Sequence, residues 1–168
     1  MELIYPRESC ACFTGHRTLP TAEAERVMAR MEKQMIALAE RGVIHYYAGG
    51  AVGFDMAAAV TVLNLKRQYL PQLTLTLALP CRDHAAKWAS RDRRLMERVI
   101  SLADHVVYVS DRYAPGCMQK RNIYMVDRSS VCLAYLTEGK GGTYNTVCYA
   151  ERKGVPVMYL ASTQEEKY

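Results

Sequence analysis

Glycines and polar side chains in residues 43–55, VIHYYAGGAVGFD, have the types and order of a phosphate-binding turn. A run with the character of a buried strand leads into Gly49, Gly50 and Gly53, and an apolar helical run follows. Glycines let the backbone turn tightly and approach a ligand, and a helix N-terminus offers free N–H groups to an anion. Asp55 is expected in the first helical turn, as an N-cap or as a contact to a ribose. The spacing G-G-x-x-G is neither a dinucleotide fingerprint nor a P-loop, so a turn that serves only strand–helix packing is the alternative.

A second glycine turn near the C-terminus predicts another anion site. Gly141 and Gly142 can expose consecutive backbone N–H groups, and the hydroxyl of Thr143 or Thr146 can donate to a phosphate oxygen. The sequence therefore contains two candidate phosphate cradles.

Two arginines could complete such a site. Arg17 and Arg121 can each form bidentate, charge-assisted bonds with a phosphate, although a surface ion pair explains Arg17 equally well. His16, beside the Gly15 turn, is more typical of a hydrogen-bonded structural residue than of a general base. The other three histidines are interpreted as structural or exposed.

Alternating strands and helices are predicted to position these residues. Strands are expected at residues 9–14, 73–79, 104–110, 130–136 and 155–160 and at the start of 43–55. Helices are expected from Thr21, read as an N-cap, to Gly42, and at 56–69, 83–102, 118–127 and 144–152. This order predicts an α/β fold: one domain, residues 1–168, with a doubly wound, mainly parallel sheet of about six strands flanked by helices.

The candidate ligand-binding residues all follow the carboxyl ends of predicted strands, where open doubly wound sheets bind ligands. They are Gly15, His16, Arg17, Gly49, Gly50, Gly53, Asp55, Pro80, Ser110, Tyr113, Gly141, Gly142, Thr143 and Thr146, together with Arg121 and Asn122 from the fourth helix.

The predicted helix 83–102 has an apolar side and an arginine stripe. Its apolar side contains Trp88, Leu95, Val99 and Leu102, which are expected to face the sheet. The stripe is formed by Arg91, Arg94 and Arg98. A solvated helix face is the commoner explanation for such a stripe, and a surface that contacts phosphates is the functional alternative.

Composition narrows the class of protein. The net charge of +5 favours anionic ligands without requiring nucleic acid. The six cysteines form no C-x-x-C pair, so neither a metal site nor a disulfide framework is predicted, and a reducing cytoplasm fits them best. Residues 1–10 do not have a signal-peptide pattern, and no run of 18 uncharged apolar residues is present, so no membrane partner is expected.

These motifs together resemble the SLOG superfamily, which joins the DprA/Smf proteins to LOG-type nucleotide hydrolases, and within it the small YpsA/YoqJ-type proteins. The motifs span residues 10 to 160 or so. They are TGHR at 14–17, GGAVGFD at 49–55, LPC at 79–81 with Trp88, residues 104–110 with Tyr113, RNIYMVD at 121–127, and GGT at 141–143 with Thr146 and Ala150.

The resemblance implies a Rossmann-like fold that binds nucleotides or nucleotide-derived ligands at the carboxyl ends of its strands. LOG-type phosphoribohydrolases have P-G-G-x-G-T-x-x-E at the equivalent turn, and here Val147, Cys148 and Tyr149 occupy the region of that glutamate. The resemblance therefore favours binding over LOG-type cleavage. The resemblance is also compatible with a homodimer.

Three functions remain open at this stage. The first is a module that binds or senses a nucleotide of the ADP-ribose or NAD type, or a cyclic or oligonucleotide derivative, without a cofactor. The second is a hydrolase or glycosidase acting on such a ligand, with Asp55 or Glu138 as the acid or base. The third is binding of single-stranded nucleic acid, as in DprA, through the arginine stripe and with Tyr113, Tyr124 or Tyr144 as stacking surfaces.

Overall fold

The computed structural model of the chain describes residues 5–161, so residues 1–4 and 162–168 of the predicted domain lie outside it. Within that range six strands alternate with five α-helices, after a 3₁₀ turn at Arg7–Ser9. In chain order they are β1 Cys10–Gly15, α1 Thr21–Glu40, β2 His45–Ala48, α2 Phe54–Gln68, β3 Thr74–Leu79, α3 Ser90–Leu102, β4 His105–Tyr108, α4 Cys117–Asp127, β5 Val131–Tyr135, α5 Gly142–Arg152 and β6 Val157–Tyr159.

All six strands form one parallel sheet in the order β4-β3-β2-β1-β5-β6. Cys12 in β1 is in register with Tyr47 in β2 on one side and with Cys132 in β5 on the other. The chain winds from β1 to β4 in one direction and then crosses to β5. The predicted α/β, doubly wound architecture is thus confirmed, and the strand order reverses between β1 and β5.

Helices cover both faces of the sheet. Met31 of α1, Phe54 of α2 and Met96 of α3 belong to the core on one face, and Met125 of α4 and Ala150 of α5 belong to the core on the other. Two covered faces explain why strands such as β3 and β5 are buried at nearly every position instead of alternating between buried and exposed residues.

The first helix begins one residue earlier than predicted, because Thr21 was expected as the N-cap. Thr21 is its first residue and makes no capping bond, because Pro20 occupies the N-cap position and its carbonyl accepts the Ala24 N–H at 2.9 Å. The predicted stop at Gly42 is confirmed, since this residue has a φ of 83°, which favours glycine.

The prediction for the third helix was wrong at its start and in its inward face. Residues 83–89 form turns, with the Trp88 N–H bonded to the Ala85 carbonyl at 3.1 Å, so Trp88 lies before the helix. Within α3, Met96 and Val99 are buried, whereas Leu95 and Leu102 are 40% and 49% exposed. The two leucines therefore belong to the outer face, beside the exposed arginines.

None of the helices between residues 5 and 161 combines the length and the apolar composition needed to cross a bilayer.

Candidate functional site

A cavity of about 240 Å³ opens beyond the carboxyl end of β1, next to the point where the strand order reverses. Open α/β sheets bind ligands at this position. The cavity is bounded by the end of β1 with the loop after it, the start of α2, α4, and the start of α5. Its lining residues are Phe13, Thr14, Gly15, His16, Arg17, Ala51, Asp55, Met118, Arg121, Asn122, Gly142 and Thr143.

Two glycines let the β1–α1 loop and the β2–α2 loop pack directly on each other. A β-carbon on Gly15 would overlap the ring of Phe54, and one on Gly53 would overlap the carbonyl group of Arg17. Gly53 also has a φ of 82°, and the Phe54 N–H donates to the His16 carbonyl at 3.1 Å. These contacts hold residues 14–17 in place as one wall of the cavity.

A buried arginine and a buried aspartate form the floor. Arg121 and Asp55 are each 5% exposed. A β-carbon on Gly49 would lie 2.6 Å from Arg121 Nη1 and 2.8 Å from Asp55 Oδ2, so glycine at this position is what lets the two groups face each other. Arg121 Nη1 also donates to the Gly49 carbonyl, and Asp55 Oδ2 accepts the Ala51 N–H at 3.2 Å.

Burial perturbs both charged groups of the floor. It raises the pKa of the Asp55 carboxyl, and the Arg121 guanidinium, the Ala51 N–H and Arg17 oppose that rise. It lowers the pKa of Arg121, and the Asp55 carboxylate opposes that change. The two residues therefore stabilise each other's charged form in a region from which water is largely excluded.

Asn122 orients the same arginine. Its Oδ1 accepts a hydrogen bond from Arg121 Nε at 2.7 Å. Because Nη1 and Nε of Arg121 are both bonded within the protein, this residue is primarily a structural element of the floor. Arg17, by contrast, is exposed at the cavity edge and forms no hydrogen bond or ion pair within residues 5–161.

His16 has the structural role that the sequence favoured for it. Its Nε2 accepts the Thr137 N–H at 2.9 Å, and its ring packs edge-on against Tyr135 with centroids 5.8 Å apart. Since Nε2 accepts this bond, the neutral ring carries its proton on Nδ1. His16 thus ties the loop after β1 to the loop after β5.

The N-terminus of α5 is open towards the cavity. Gly141 is the N-cap with a φ of 95°, and β-carbons added to Gly141 or Gly142 would meet no atom within 4 Å. Thr143 lines the cavity, whereas the Thr146 hydroxyl is buried and donates to the Gly142 carbonyl at 2.8 Å. Of the two hydroxyls proposed for a phosphate, only that of Thr143 is therefore placed to reach one.

A smaller chamber of about 60 Å³ adjoins this cavity and shares Arg17, Ala51, Met118 and Arg121 with it. Its other walls are Val52, Pro80, His84 and Trp88. Pro80 is thus the one predicted site residue that lies here and not in the main cavity.

Several predicted site residues lie elsewhere. Gly50 has a φ of 70°, and a β-carbon there would overlap Leu79, so this glycine serves packing rather than approach to a ligand. Ser110 uses its N–H to bond the Pro80 carbonyl at 3.0 Å. Tyr113 is 66% exposed and lines neither the cavity nor the chamber.

Sequence reasoning missed some lining residues. Phe13 and Thr14 lie in β1 itself, and Ala51 and Met118 carry no chemistry that a motif would reveal. Thr14 had a signal, because it directly precedes Gly15 at the end of a predicted strand. Within residues 5–161, no group of three His, Cys, Asp or Glu side chains is placed to hold a metal ion.

Comparison with known proteins relates the chain to bacterial relatives. It is 27% identical over 142 residues to the uncharacterized SPbeta prophage-derived protein YoqJ of Bacillus subtilis. The alignment covers 74% of this chain and 82% of YoqJ. It is also 27% identical over 138 residues to a UPF0398 protein of Bacillus pumilus, in an alignment that covers 80% of this chain and 74% of that protein.

Two solved structures share the fold at 16% sequence identity. One is DNA processing protein A of Helicobacter pylori, with a TM-score of 0.64, and its report describes single-stranded DNA binding by that protein. The other is DprA of Streptococcus pneumoniae, with a TM-score of 0.67. The matches cover 91% and 94% of this chain, which spans 65% and 50% of the respective structures.

The model of the YspA SLOG family matches residues 18–160, which is most of the chain. The match includes the β2–α2 loop, helix α4 with Arg121, and the N-terminus of α5. The resemblance drawn from the sequence motifs is confirmed: this chain belongs to the YspA SLOG family.

Proposed function

We propose that the chain binds a nucleotide or a nucleotide derivative in the cavity between β1 and β5, with a phosphate at the N-terminus of α5. The observation that carries this proposal is the meeting of the open Gly142–Thr143 backbone and the Arg17 guanidinium at one cavity. Membership of the YspA SLOG family supports the same ligand class.

The electrostatics of the cavity favour an anion. The first N–H groups of a helix have no partner within the helix, and the helix dipole adds positive potential at the same end. Arg17 supplies a guanidinium that can fork onto a phosphate, and Arg121 adds positive charge in the floor. Asp55 offsets the charge of Arg121 in the floor, so Arg17 and the N-terminus of α5 supply the positive potential that remains for an anion.

The dimensions favour a ligand of nucleotide size. The cavity volume of about 240 Å³ is slightly below the roughly 300 to 1,000 Å³ of typical small-molecule sites, so the cavity accommodates a phosphate and a sugar while the rest of the ligand extends beyond it. Nucleotides of the ADP-ribose or NAD type, and cyclic or short oligonucleotide derivatives, fit this description.

Thermal unfolding in the presence of a nucleotide panel tests the proposal. AMP, GMP, CMP, UMP, ADP-ribose, NAD and cyclic dinucleotides would each be added at millimolar concentration. A ligand of the native state at 100 times its dissociation constant stabilises the protein by about 2.7 kcal/mol, which raises the melting temperature by several degrees. Absence of a shift with every member of the panel would contradict the proposal.

An enzymatic function is favoured by one observation, the raised pKa of Asp55 at the cavity surface, which is typical of a general acid. Asp55, however, already accepts the Ala51 N–H and balances the charge of Arg121. The alternative candidate, Glu138, is exposed and does not line the cavity. We therefore expect no release of free base from AMP, GMP or CMP. Chromatography of overnight incubations checks this, and base release that disappears in Asp55→Asn would establish a hydrolase instead.

Binding of single-stranded DNA is favoured by the exposed arginines of α3 and by the fold shared with DNA processing protein A. Because Arg91, Arg94 and Arg98 lie away from the β1–β5 cavity, we expect only non-specific affinity, in the range of roughly 10⁻⁴ to 10⁻⁶ M. Fluorescence anisotropy with a labelled oligothymidine at several salt concentrations measures it. Sub-micromolar binding at physiological salt, lost on replacing the three arginines with alanine, would make DNA the principal ligand.

A further inference from the structure

The small chamber beside the main cavity contains the sole tryptophan of the chain, Trp88. This side chain is partly buried and packs against the core from the turns that precede α3. The chamber is continuous with the main cavity, because Arg17, Ala51, Met118 and Arg121 line both. A molecule bound in the cavity could therefore extend to Trp88 without leaving the protein surface.

The two spaces differ in chemical character. The main cavity is lined by hydroxyl, amide and charged groups and by the open backbone of α5. The chamber shares the two arginines with the cavity but adds three apolar groups, Val52, Pro80 and the Trp88 indole, beside the ring of His84. A nucleotide has the same division, with a charged phosphate at one end and a flat, weakly polar base at the other.

Trp88 is held in place by a neighbouring histidine. His84 Nε2 donates to the Gly50 carbonyl at 3.1 Å, and its ring meets the indole edge-on with centroids 5.1 Å apart. The glycine turn before α2 thus positions the aromatic wall through His84. Gly50 itself has no room for a side chain in this turn, since a β-carbon there would overlap Leu79.

From this arrangement we infer that the Trp88 chamber is the nucleobase subsite of the cavity, an inference that rests on the proposed nucleotide binding. The phosphate lies at Gly142 and Arg17, the sugar lies over the floor, and the base extends past Met118 so that one edge enters the chamber against Trp88. The chamber volume of about 60 Å³, equivalent to about two water molecules, suits the edge of a ring and excludes a whole one.

The fluorescence of Trp88 reports on this subsite directly, because the chain has one tryptophan. AMP and ribose 5-phosphate are the two probes, since they share the phosphate and sugar and differ in the base. AMP is expected to change the tryptophan emission on binding, and ribose 5-phosphate is expected to bind with little change. Calorimetry should give AMP an affinity about tenfold higher, in line with the contact of a base edge with an aromatic ring.

Substitutions separate the subsite from the cavity as a whole. Trp88→Ala should lower AMP affinity to that of ribose 5-phosphate and leave the latter unchanged, whereas Trp88→Phe should retain most of the preference for AMP. Tyr69→Ala, at an aromatic residue that is 73% exposed and lines neither space, is the matched control and should change nothing. Circular dichroism establishes that each variant is folded, and wild-type fluorescence with Trp88→Phe decides the matter if Trp88→Ala does not fold.

The possible failures are distinguishable. Equal binding of AMP and ribose 5-phosphate without a change in emission would overturn the subsite and leave phosphate binding intact. Absence of binding by either probe to the folded protein would overturn the subsite together with the proposed function for mononucleotides.

Discussion

Replacement of Arg121 with alanine is expected to lower the free energy of unfolding by about 3–5 kcal/mol, the cost of removing one partner from a buried charge pair. The substitution would leave the Asp55 carboxyl, itself 5% exposed, without its guanidinium, and the Gly49 carbonyl without its donor. For a chain of this size the melting temperature should fall by roughly 6 to 20 °C. Chemical denaturation and thermal unfolding of the unliganded protein measure the effect.

Arg17→Ala is the matched control for that experiment. Arg17 lines the same cavity but is exposed and has no hydrogen bond or ion pair within the described residues, so its loss should change the stability by less than about 0.5 kcal/mol. It should instead weaken nucleotide binding. If Arg121→Ala were as stable as Arg17→Ala, Arg121 would not be a structural part of the floor.

Gly142→Val is expected to reduce nucleotide affinity by at least about 100-fold while the protein remains folded. Space exists for the new side chain, since a β-carbon at this position meets no atom within 4 Å. That space is part of the cavity, so the isopropyl group would occupy the phosphate position and block access to the first N–H groups of α5. Losing two charge-assisted hydrogen bonds accounts for a change of this size. Isothermal titration with AMP and ADP-ribose provides the measurement.

Gly139→Val provides the control for steric bulk in the same loop. Gly139 also has open space at its β-carbon and does not line the cavity, so nucleotide affinity should be unchanged. Equal affinities for Gly142→Val and the wild-type protein would exclude the α5 N-terminus as the phosphate site. Gly50→Val is unsuitable for this purpose, because its side chain would collide with Leu79 and would act on the fold.

The sheet, and the ligand-binding edge at the carboxyl ends of its strands, could be predicted from the sequence because both depend on local patterns. Strand and helix alternation placed the residues after β1, β2 and β5 at one edge, and the structure brings Gly15, Asp55 and Gly142 to a single cavity there. Local patterns do not reveal, by contrast, which side chain each glycine of the turn faces in the folded protein. Gly49 faces Arg121, 72 residues away along the chain, and Gly50 faces Leu79.

The start of the third helix was the least accurate prediction of secondary structure, and because of it the chamber beside Trp88 could not be foreseen. A continuous helix from residue 83 would have placed Trp88 against the sheet with the other apolar residues. His84 instead bonds the Gly50 carbonyl and holds residues 83–89 in turns, which brings Trp88 to the edge of the binding cavity. Helical periodicity cannot reveal such a contact, because it depends on a hydrogen bond between two loops.

A crystal structure of the protein with AMP or ADP-ribose bound tests the central claim most directly. The account predicts phosphate density about 3 Å from the backbone nitrogens of Gly142 and Thr143 and within reach of the Arg17 guanidinium. Density for the nucleotide at another surface, such as the arginines of α3, with the β1–β5 cavity unchanged, would contradict it.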